Sequence, residues 1–585
     1  KYGLDIYAPV DHKGRFTGEV GDELAGKFVF DANADVNRML KRAGALLYES
    51  EIAHSYPHCW RCKKPIVFRA TNQWFFGIDH ASLRKRALEE IDRVQWIPSW
   101  GRNRIYSMIE HRPDWCISRQ RFWGIPIVVF YCKGCGEPLI SANVISHVAY
   151  LVEQHGADIW YEWDAGRLLP EGTECPNCGG EEFEKERDIL DVWFDSGVSH
   201  AAVCERNPQL SWPCDLYLEG SDQHRGWFHS SILTAVATRG RAPYKAVLTH
   251  GFVVDGQGRK MSKMLGNVIP PEDVIKRYGA EILRLWVSAE DYREDIRISD
   301  EILQRLVEAY RRIRNTFRFL LGNLYDFDPR RDAVDDGELL PIDRFALYEL
   351  NRLIDKVRRA YESYDLHIVY HALHNYAVNT SAFYLDVLKD RLYVSAPNSR
   401  ARRSAQTTLY RILSAMLRLS APILSFTAEE VWQLLPGDKP ESVFLSQFPD
   451  PDPAALPDEE ANRWYELLRI RDEVLRAMEM RRKEGLIGNS LEAIVDIRAA
   501  GWAKELLEEF SSDLWEIFIV SEVNLVDMIE GEGIVRGEDV PEVEIRVRRA
   551  PYEKCPRCWV YSPSVGGNSE VCARCQAVLE EMNAT

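Results

Sequence analysis

At 585 residues and 67.4 kDa the chain is too long for a single hydrophobic core, and its length implies about three to five domains. Apolar residues make up 46% and charged residues 28%, and no uncharged apolar run approaches the roughly 18 to 20 residues that span a bilayer, which argues against membrane insertion. A net charge of -17 argues against a general nucleic-acid coat, so any contact with RNA has to be local.

The first residues, KYGLDIYAPVDHKGRF, have no initiator Met and no signal-like pattern, and they read as mid-protein. Residues 1–56 mix short β-like runs with a helix-like stretch, Ala34 to Ala43, and look like the tail of a domain. From about 57 to 300, strand-like runs (Ile125 to Tyr131, Asp215 to Glu219, Ala246 to His250) alternate with amphipathic helices such as Trp227 to Thr238. That alternation is the pattern of a parallel α/β sheet. A polar, Gly- and Cys-rich insertion interrupts it at about 131–190.

From 301 to about 435, apolar residues recur at three-to-four spacing and predict a helical bundle. Its basic residues cluster at Arg311, Arg312, Arg314 and Arg318 on one helix and at Arg400, Arg402 and Arg403 in an expected loop, with Arg481, Arg482 and Lys483 further on. Considered alone, each cluster is more often just a solvated helix face. FPDPDPAALPDEE, 448–460, predicts a linker before a junction region of helix and small α+β structure, 451–549, and a terminal module, 550–585.

Ten of the 13 cysteines form five Cys-x-x-Cys pairs. Each pair sets two thiolates on a tight knuckle, half of a tetrahedral zinc site, and this usage points to a reducing, cytoplasmic setting. Cys555, Cys558, Cys572 and Cys575 form one closed quartet, predicted to hold a structural Zn2+ although its loop is slightly shorter than in usual zinc ribbons. Cys132, Cys135, Cys175 and Cys178 predict a second site inside the insertion. Cys59 and Cys62 remain a half-site, to be completed by His54 and His58, by residues upstream, or by nothing.

Two segments carry chemistry. THGFVVDGQGRKMSKMLGN, 249–267, sets a strand before a Gly-rich turn bearing Lys260 and Lys263, which can neutralise a triphosphate; alone it would pass for a basic β-turn. DLYLEGSDQHRGWF, 215–228, runs from a strand into a helix, so Glu219, Asp222, Gln223 and His224 are expected to project into a nucleotide cleft. Taken alone, such a junction is better read with Asp222 as a helix cap and His224 as a surface residue.

KMSK followed by Gly266 and Asn267 resembles the signature loop of class I aminoacyl-tRNA synthetases. EGSDQHRGWF, DVWFDSG (191–197) and PDWCISRQRFWGIPI (113–127) resemble the isoleucyl branch in wording and order, over essentially the whole chain. The resemblance implies a Rossmann-like α/β catalytic domain at 57–300 (its C-terminal half), an α-helical anticodon-binding domain at 301–450 and a small C-terminal zinc module. It implies that Lys263 meets the ATP phosphates with Lys260, that Glu219 contacts the aminoacyl-adenylate, and that Trp193 and Trp227 wall the amino-acid pocket, where core filling is the alternative. It further implies Mg2+ with ATP, L-isoleucine and tRNA(Ile) as partners, and a monomer.

No HIGH-like run occurs in the sequence, nor do the family's editing-site segments, so the chain is expected to begin inside the editing insertion, with 1–56 its remnant. Two other readings stay open: a valyl synthetase, and a non-catalytic tRNA-binding or zinc scaffold.

Overall fold

The computed structural model describes residues 6–59, 61–121, 123–452, 456–566 and 569–584. Phe122 of the run 113–127, residues 453–455 of the expected linker, Trp60 between Cys59 and Cys62, and Gly567 and Asn568 between Cys558 and Cys572 lie outside the described residues. The chain divides into two compact units, Lys1–Thr249 and His250–Thr585.

In the first unit a three-stranded sheet has the order Gln95–Ile97, Tyr244–His250, Cys214–Gly220. Its first two strands are parallel, with Val247 opposite Trp96. The last two are joined through the helix Trp227–Arg239, a βαβ unit; the helix lacks the expected amphipathic division because it is buried on most sides, with His229, Ser230, Ser231 and Thr234 buried beside its apolar residues. Phe228, Ile232 and Val236 pack with Tyr244 and Val247 of the sheet and with Ile91, Ile105 and Ile109 from the helices Leu83–Ile91 and Trp100–Glu110.

One expected strand behaves differently. Of the run Ile125 to Tyr131, only Phe130–Cys132 is strand, and it lies outside the parallel sheet. It is the centre of an antiparallel sheet with Pro138–Leu139 and Phe183–Lys185, because its hydrogen-bond partners are the two arms of the Cys-rich insertion. That insertion has its own core of Phe130, Val144, Val148, Trp160, Leu168 and Phe183. Ser118–Arg119 pairs with Ile189–Leu190 at its root.

The second unit opens with a short parallel pair, Val253–Asp255 with Ile296–Ile298. A helical bundle follows: Asp300–Gly322, Pro341–Glu362, Leu366–Ala382, Tyr384–Val394, Arg400–Ser420 and Ser425–Leu434. Ser299 caps the first helix by accepting the backbone N–H of Ile302. Leu303, Leu306, Ile313, Phe317 and Leu320 form its buried stripe, which leaves Arg311, Arg312, Arg314 and Arg318 exposed on the other side.

Arg400, Arg402 and Arg403 are in no loop. Ser399 caps a helix that begins at Arg400, and both Arg402 and Arg403 are buried. Arg402 donates to the two oxygens of Asp326 at 2.6 and 2.9 Å, while Arg403 donates to the Asp326 carbonyl and to Gln406. These guanidiniums brace the bundle and face no solvent. The junction comprises the helix Asp458–Lys483 and a four-stranded sheet ordered Glu522–Leu525, Ala493–Ala499, Val543–Arg549, Ile534–Arg536. A hairpin, Glu553–Lys554 with Tyr561–Ser562, and the helix Ala573–Ala584 complete the unit.

Among the described residues no helix is long and apolar enough to cross a membrane.

Candidate functional site

The strand Cys214–Gly220 delivers Glu219 to its C-terminal end, where the side chain is exposed. A single 3-10 turn, Ser221–His224, then leads to the helix that starts at Trp227. Asp222 is exposed, and Gln223 Oε1 accepts the first helical N–H, from Trp227, at 2.9 Å. Gln223 therefore stabilises the helix start, and its amide donates to Asp222 Oδ2 at 3.1 Å.

Gly226 matters because an added Cβ would lie 2.8 Å from the Trp193 ring and 2.4 Å from Gln223 Oε1. The Trp193 indole thus lies directly on this glycine, 43% exposed. Trp227 stacks on Tyr217 with centroids 4.0 Å apart, and its Nε1 donates to the Ser196 carbonyl and to Ser199 Oγ, each at 3.1 Å. The structure therefore gathers Glu219, Asp222, Gln223, Trp193 and Trp227 around one strand-to-helix turn. Flat aromatic surface beside carboxylate and amide groups suits a small ligand with an apolar end and a polar end.

His224 does not join them. It is fully buried, with its ring centroid 5.5 Å from that of Trp100 and 6.1 Å from that of Trp96. The expectation that it projects into a cleft is corrected: the turn rotates its side chain inward, into the space next to Gly101.

DVWFDSG and SRQRFWG meet through Asp191 and Arg119. Asp191 Oδ1 accepts the Trp193 N–H at 3.1 Å and so caps the helix Val192–Gly197. Its Oδ2 accepts from Arg119 at 2.7 Å and from Trp115 Nε1 at 3.1 Å. Asp195, one turn on, has its pKa pushed up to about 6, by burial first and then by the neighbouring Asp191 carboxylate. Spacing did not single out Asp191 or Arg119. The signal available was a capping residue immediately before an aromatic pair.

In the second unit the loop after Val253–Asp255 is organised by Asp255. Its Oδ1 accepts the N–H groups of Gln257 (3.0 Å) and Arg259 (2.8 Å), and its Oδ2 accepts from Arg259 Nε (2.8 Å) and Asn267 Nδ2 (2.9 Å). The Asn267 amide and the Arg259 backbone and guanidinium groups hold the Asp255 carboxyl well below the usual carboxylate range. Asn267 Oδ1 in turn accepts the Ser262 N–H at 2.9 Å. Gly258 takes φ +79°, in the left-handed region that a glycine enters without a Cβ clash. Lys260 and Lys263 are both exposed, with no carboxylate partner among the described residues. The braced backbone presents two unneutralised ammonium groups, a geometry suited to polyphosphate.

Both predicted cysteine quartets gather. Within each, all four Sγ atoms lie within 4.8 Å of one another. The closest pairs are Cys132–Cys178 at 3.5 Å, Cys135–Cys175 at 3.6 Å and Cys558–Cys572 at 3.6 Å. A zinc ion with bonds of about 2.3 Å to four sulfurs has tetrahedron edges of roughly 3.8 Å, so the donor sets fit structural zinc with no open coordination position. The described cysteines form no disulfide.

The residue after the second cysteine has positive φ in three of these knuckles: Gly136, Gly179 and Trp559. Each donates its N–H to the carbonyl of the first cysteine, at 2.8 to 2.9 Å. Lys63, after Cys62, does the same with φ +59° and a 2.8 Å bond to Cys59. Cys59 and Cys62 thus share the knuckle shape, but among the described residues neither His54 nor His58 joins them in a metal-binding group. The terminal module is fastened to the bundle: Arg574 donates to both oxygens of Asp390 at 2.6 and 2.8 Å and lies over the Trp515 ring.

Comparison with known proteins gives three matched families: tRNA synthetases class I (I, L, M and V) over residues 22–299, the anticodon-binding domain of tRNA ligase over 343–497, and the zinc finger found in FPG and IleRS over 553–578. Isoleucine--tRNA ligase of Syntrophotalea carbinolica is 58% identical over 99% of this chain, and that of Geobacter sulfurreducens 54% over 99%. The ligase of Persephonella marina is 52% identical over the full chain. The chain spans 63% of the length of each of these relatives. By these matches, and by the motifs that the fold draws together, residues 22–299 form a class I tRNA synthetase domain, and the chain is similar over nearly its whole length to isoleucine--tRNA ligases.

Proposed function

We propose that the protein activates L-isoleucine with ATP, forming isoleucyl-adenylate and pyrophosphate, and passes the isoleucyl group to the terminal ribose of tRNA(Ile). The observation that carries this reading is the pair of indoles, Trp193 on Gly226 and Trp227 beside it, set against Glu219, Asp222 and Gln223 at a single strand end. The indoles bound the volume for a branched aliphatic side chain, while Glu219, Asp222 and Gln223 take the polar part of the adenylate. Such a pocket separates substrates differing by one methylene by only about 1 to 3 kcal/mol, a limit for which isoleucine against valine is the standard illustration.

Attack by the isoleucine carboxylate on the α-phosphate needs no covalent enzyme nucleophile. The chain's work is to orient the reactants and to stabilise charge as pyrophosphate leaves, with Lys260 and Lys263 supplying the positive groups. Bound with ATP, Mg2+ would supply further positive charge to the phosphates. Arg312, Arg314 and Arg318, exposed and without a carboxylate partner among the described residues, approach tRNA phosphates; Arg311 is already paired with Glu308. The two cysteine quartets hold zinc and keep their modules folded.

The test is amino-acid-dependent ATP–pyrophosphate exchange on the full-length gene product. Isoleucine should be activated with higher kcat/KM than valine, and the reverse order would overturn the proposal in favour of a valine enzyme.

A further inference from the structure

His224 lies within the run EGSDQHRGWF yet has no exposed surface. Its Nδ1 bonds to the Ser221 carbonyl at 3.0 Å, which closes the 3-10 turn around Asp222 and Gln223. The ring is held by Trp96 and Trp100, and by Phe228 edge-on at 5.4 Å. Among the described residues Nε2 has no hydrogen-bond partner, and it rests against Gly101, where an added Cβ would come within 3.1 Å of it and within 3.3 Å of the Trp96 ring. A core that needed only volume here would be served by an apolar ring with no orphaned nitrogen. What the imidazole adds is a donor at the δ position, aimed at the turn.

We infer that His224 is a positioning residue: bonded to Ser221 and wedged between two tryptophans, it fixes the turn that presents Glu219, Asp222 and Gln223 to the aminoacyl-adenylate. This rests on the proposed role of those three residues. Burial lowers the His224 pKa, so the ring stays neutral with its proton on Nδ1, the form that donates. Gly101, on a different helix, belongs to the same device, since only a residue without a side chain admits the ring so closely.

The experiment uses the full-length enzyme and isoleucine-dependent pyrophosphate exchange. His224→Phe keeps a ring and loses the donor; kcat/KM for isoleucine should fall about 10-fold, chiefly through KM. His224→Asn loses the ring but keeps a donor at the δ position, and should restore at least half of that loss. A folded His224→Phe enzyme with the wild-type KM overturns the inference, as does an Asn variant no better than Phe. If the Phe variant does not fold, Gly101→Ala replaces it: crowding Nε2 should raise KM for isoleucine about 3-fold, and an unchanged KM overturns the inference. An inactive wild-type enzyme would overturn the proposed function together with this one, whereas an active wild type with unmoved variants overturns this one alone.

Discussion

The guanidinium of Arg119 lies 2.7 Å from the carboxylate of Asp191, 72 residues further along the chain, and the same carboxylate caps the helix that carries Trp193. Two segments distant in sequence, already paired as the strands Ser118–Arg119 and Ile189–Leu190, thereby share a side-chain anchor, with Asp191 buried and Arg119 half-buried. Asp191→Ala removes a cap worth about 1 kcal/mol and leaves the buried Trp115 N–H unpaired at about 1 to 3 kcal/mol. The expected loss is about 3 kcal/mol, read by urea unfolding through tryptophan fluorescence. Asp191→Asn, which can still cap, should lose about half as much; a neutral Ala variant would contradict the anchor.

Lys263→Ala should lower the adenylation rate about 100-fold while leaving isoleucine binding nearly unchanged, since an exposed ammonium facing a leaving pyrophosphate acts on the transition state. Pyrophosphate exchange gives the rate and equilibrium titration gives the affinity. Unchanged turnover would remove Lys263 from the chemistry.

Both carboxylate oxygens of Asp255 are engaged within the loop, and Asp255→Ala should raise KM for ATP roughly 10-fold by releasing Arg259, Asn267 and the turn between them. The pH dependence follows from its depressed pKa. The brace is complete above the ordinary value of 3.8 and is lost only as pH falls through the still lower folded value. Between pH 5 and 8 the KM for ATP should therefore show no step from this group, and a step removed by Asp255→Asn would contradict the assignment.

His229 is 2% exposed, neither ring nitrogen has a hydrogen-bond partner among the described residues, and burial, then Arg112, drives its pKa down to about 3. The unfolded chain, with a value near 6.5, binds the proton first. Stability from this residue is thus intact above about pH 6.5 and erodes as pH falls toward 3. His229→Met should shift the acid unfolding midpoint downward by roughly half a pH unit, followed by circular dichroism. A midpoint that stays put would show that other groups set acid stability.

Metal analysis should find two zinc ions per chain bound by the two quartets. Cys132→Ser and Cys558→Ser should each remove one. Only the second should expose the region around Asp390 to protease, because Arg574 of that module is the group bonded there. Unchanged metal content in either variant would refute that site.

The quartets and the Gly-rich turn after Asp255 were legible in the sequence because both are written in short-range spacing. Two closely spaced Cys-x-x-Cys pairs announce a tetrahedral donor set, and a Gly-rich turn declares its own geometry. The bundle was legible through the three-to-four recurrence of Leu303, Leu306, Ile313 and Phe317. Pairing at a distance was not. Nothing local shows that Arg402 is answered by Asp326, 76 residues away, or that Phe130 pairs with the arms of an insertion and not with the parallel sheet. His224 misled because a strand-to-helix junction indicates which residues lie near its tip, but the turn type decides which of them face inward.

The bond between Asp255 and Asn267 joins the two ends of a 13-residue segment with a single clasp, and Ser262 is hooked to the same asparagine from within. A segment clasped in this way has fewer independent joints than an open loop of the same length, so much of the conformational entropy of the backbone that carries Lys260 and Lys263 is already spent in the folded chain.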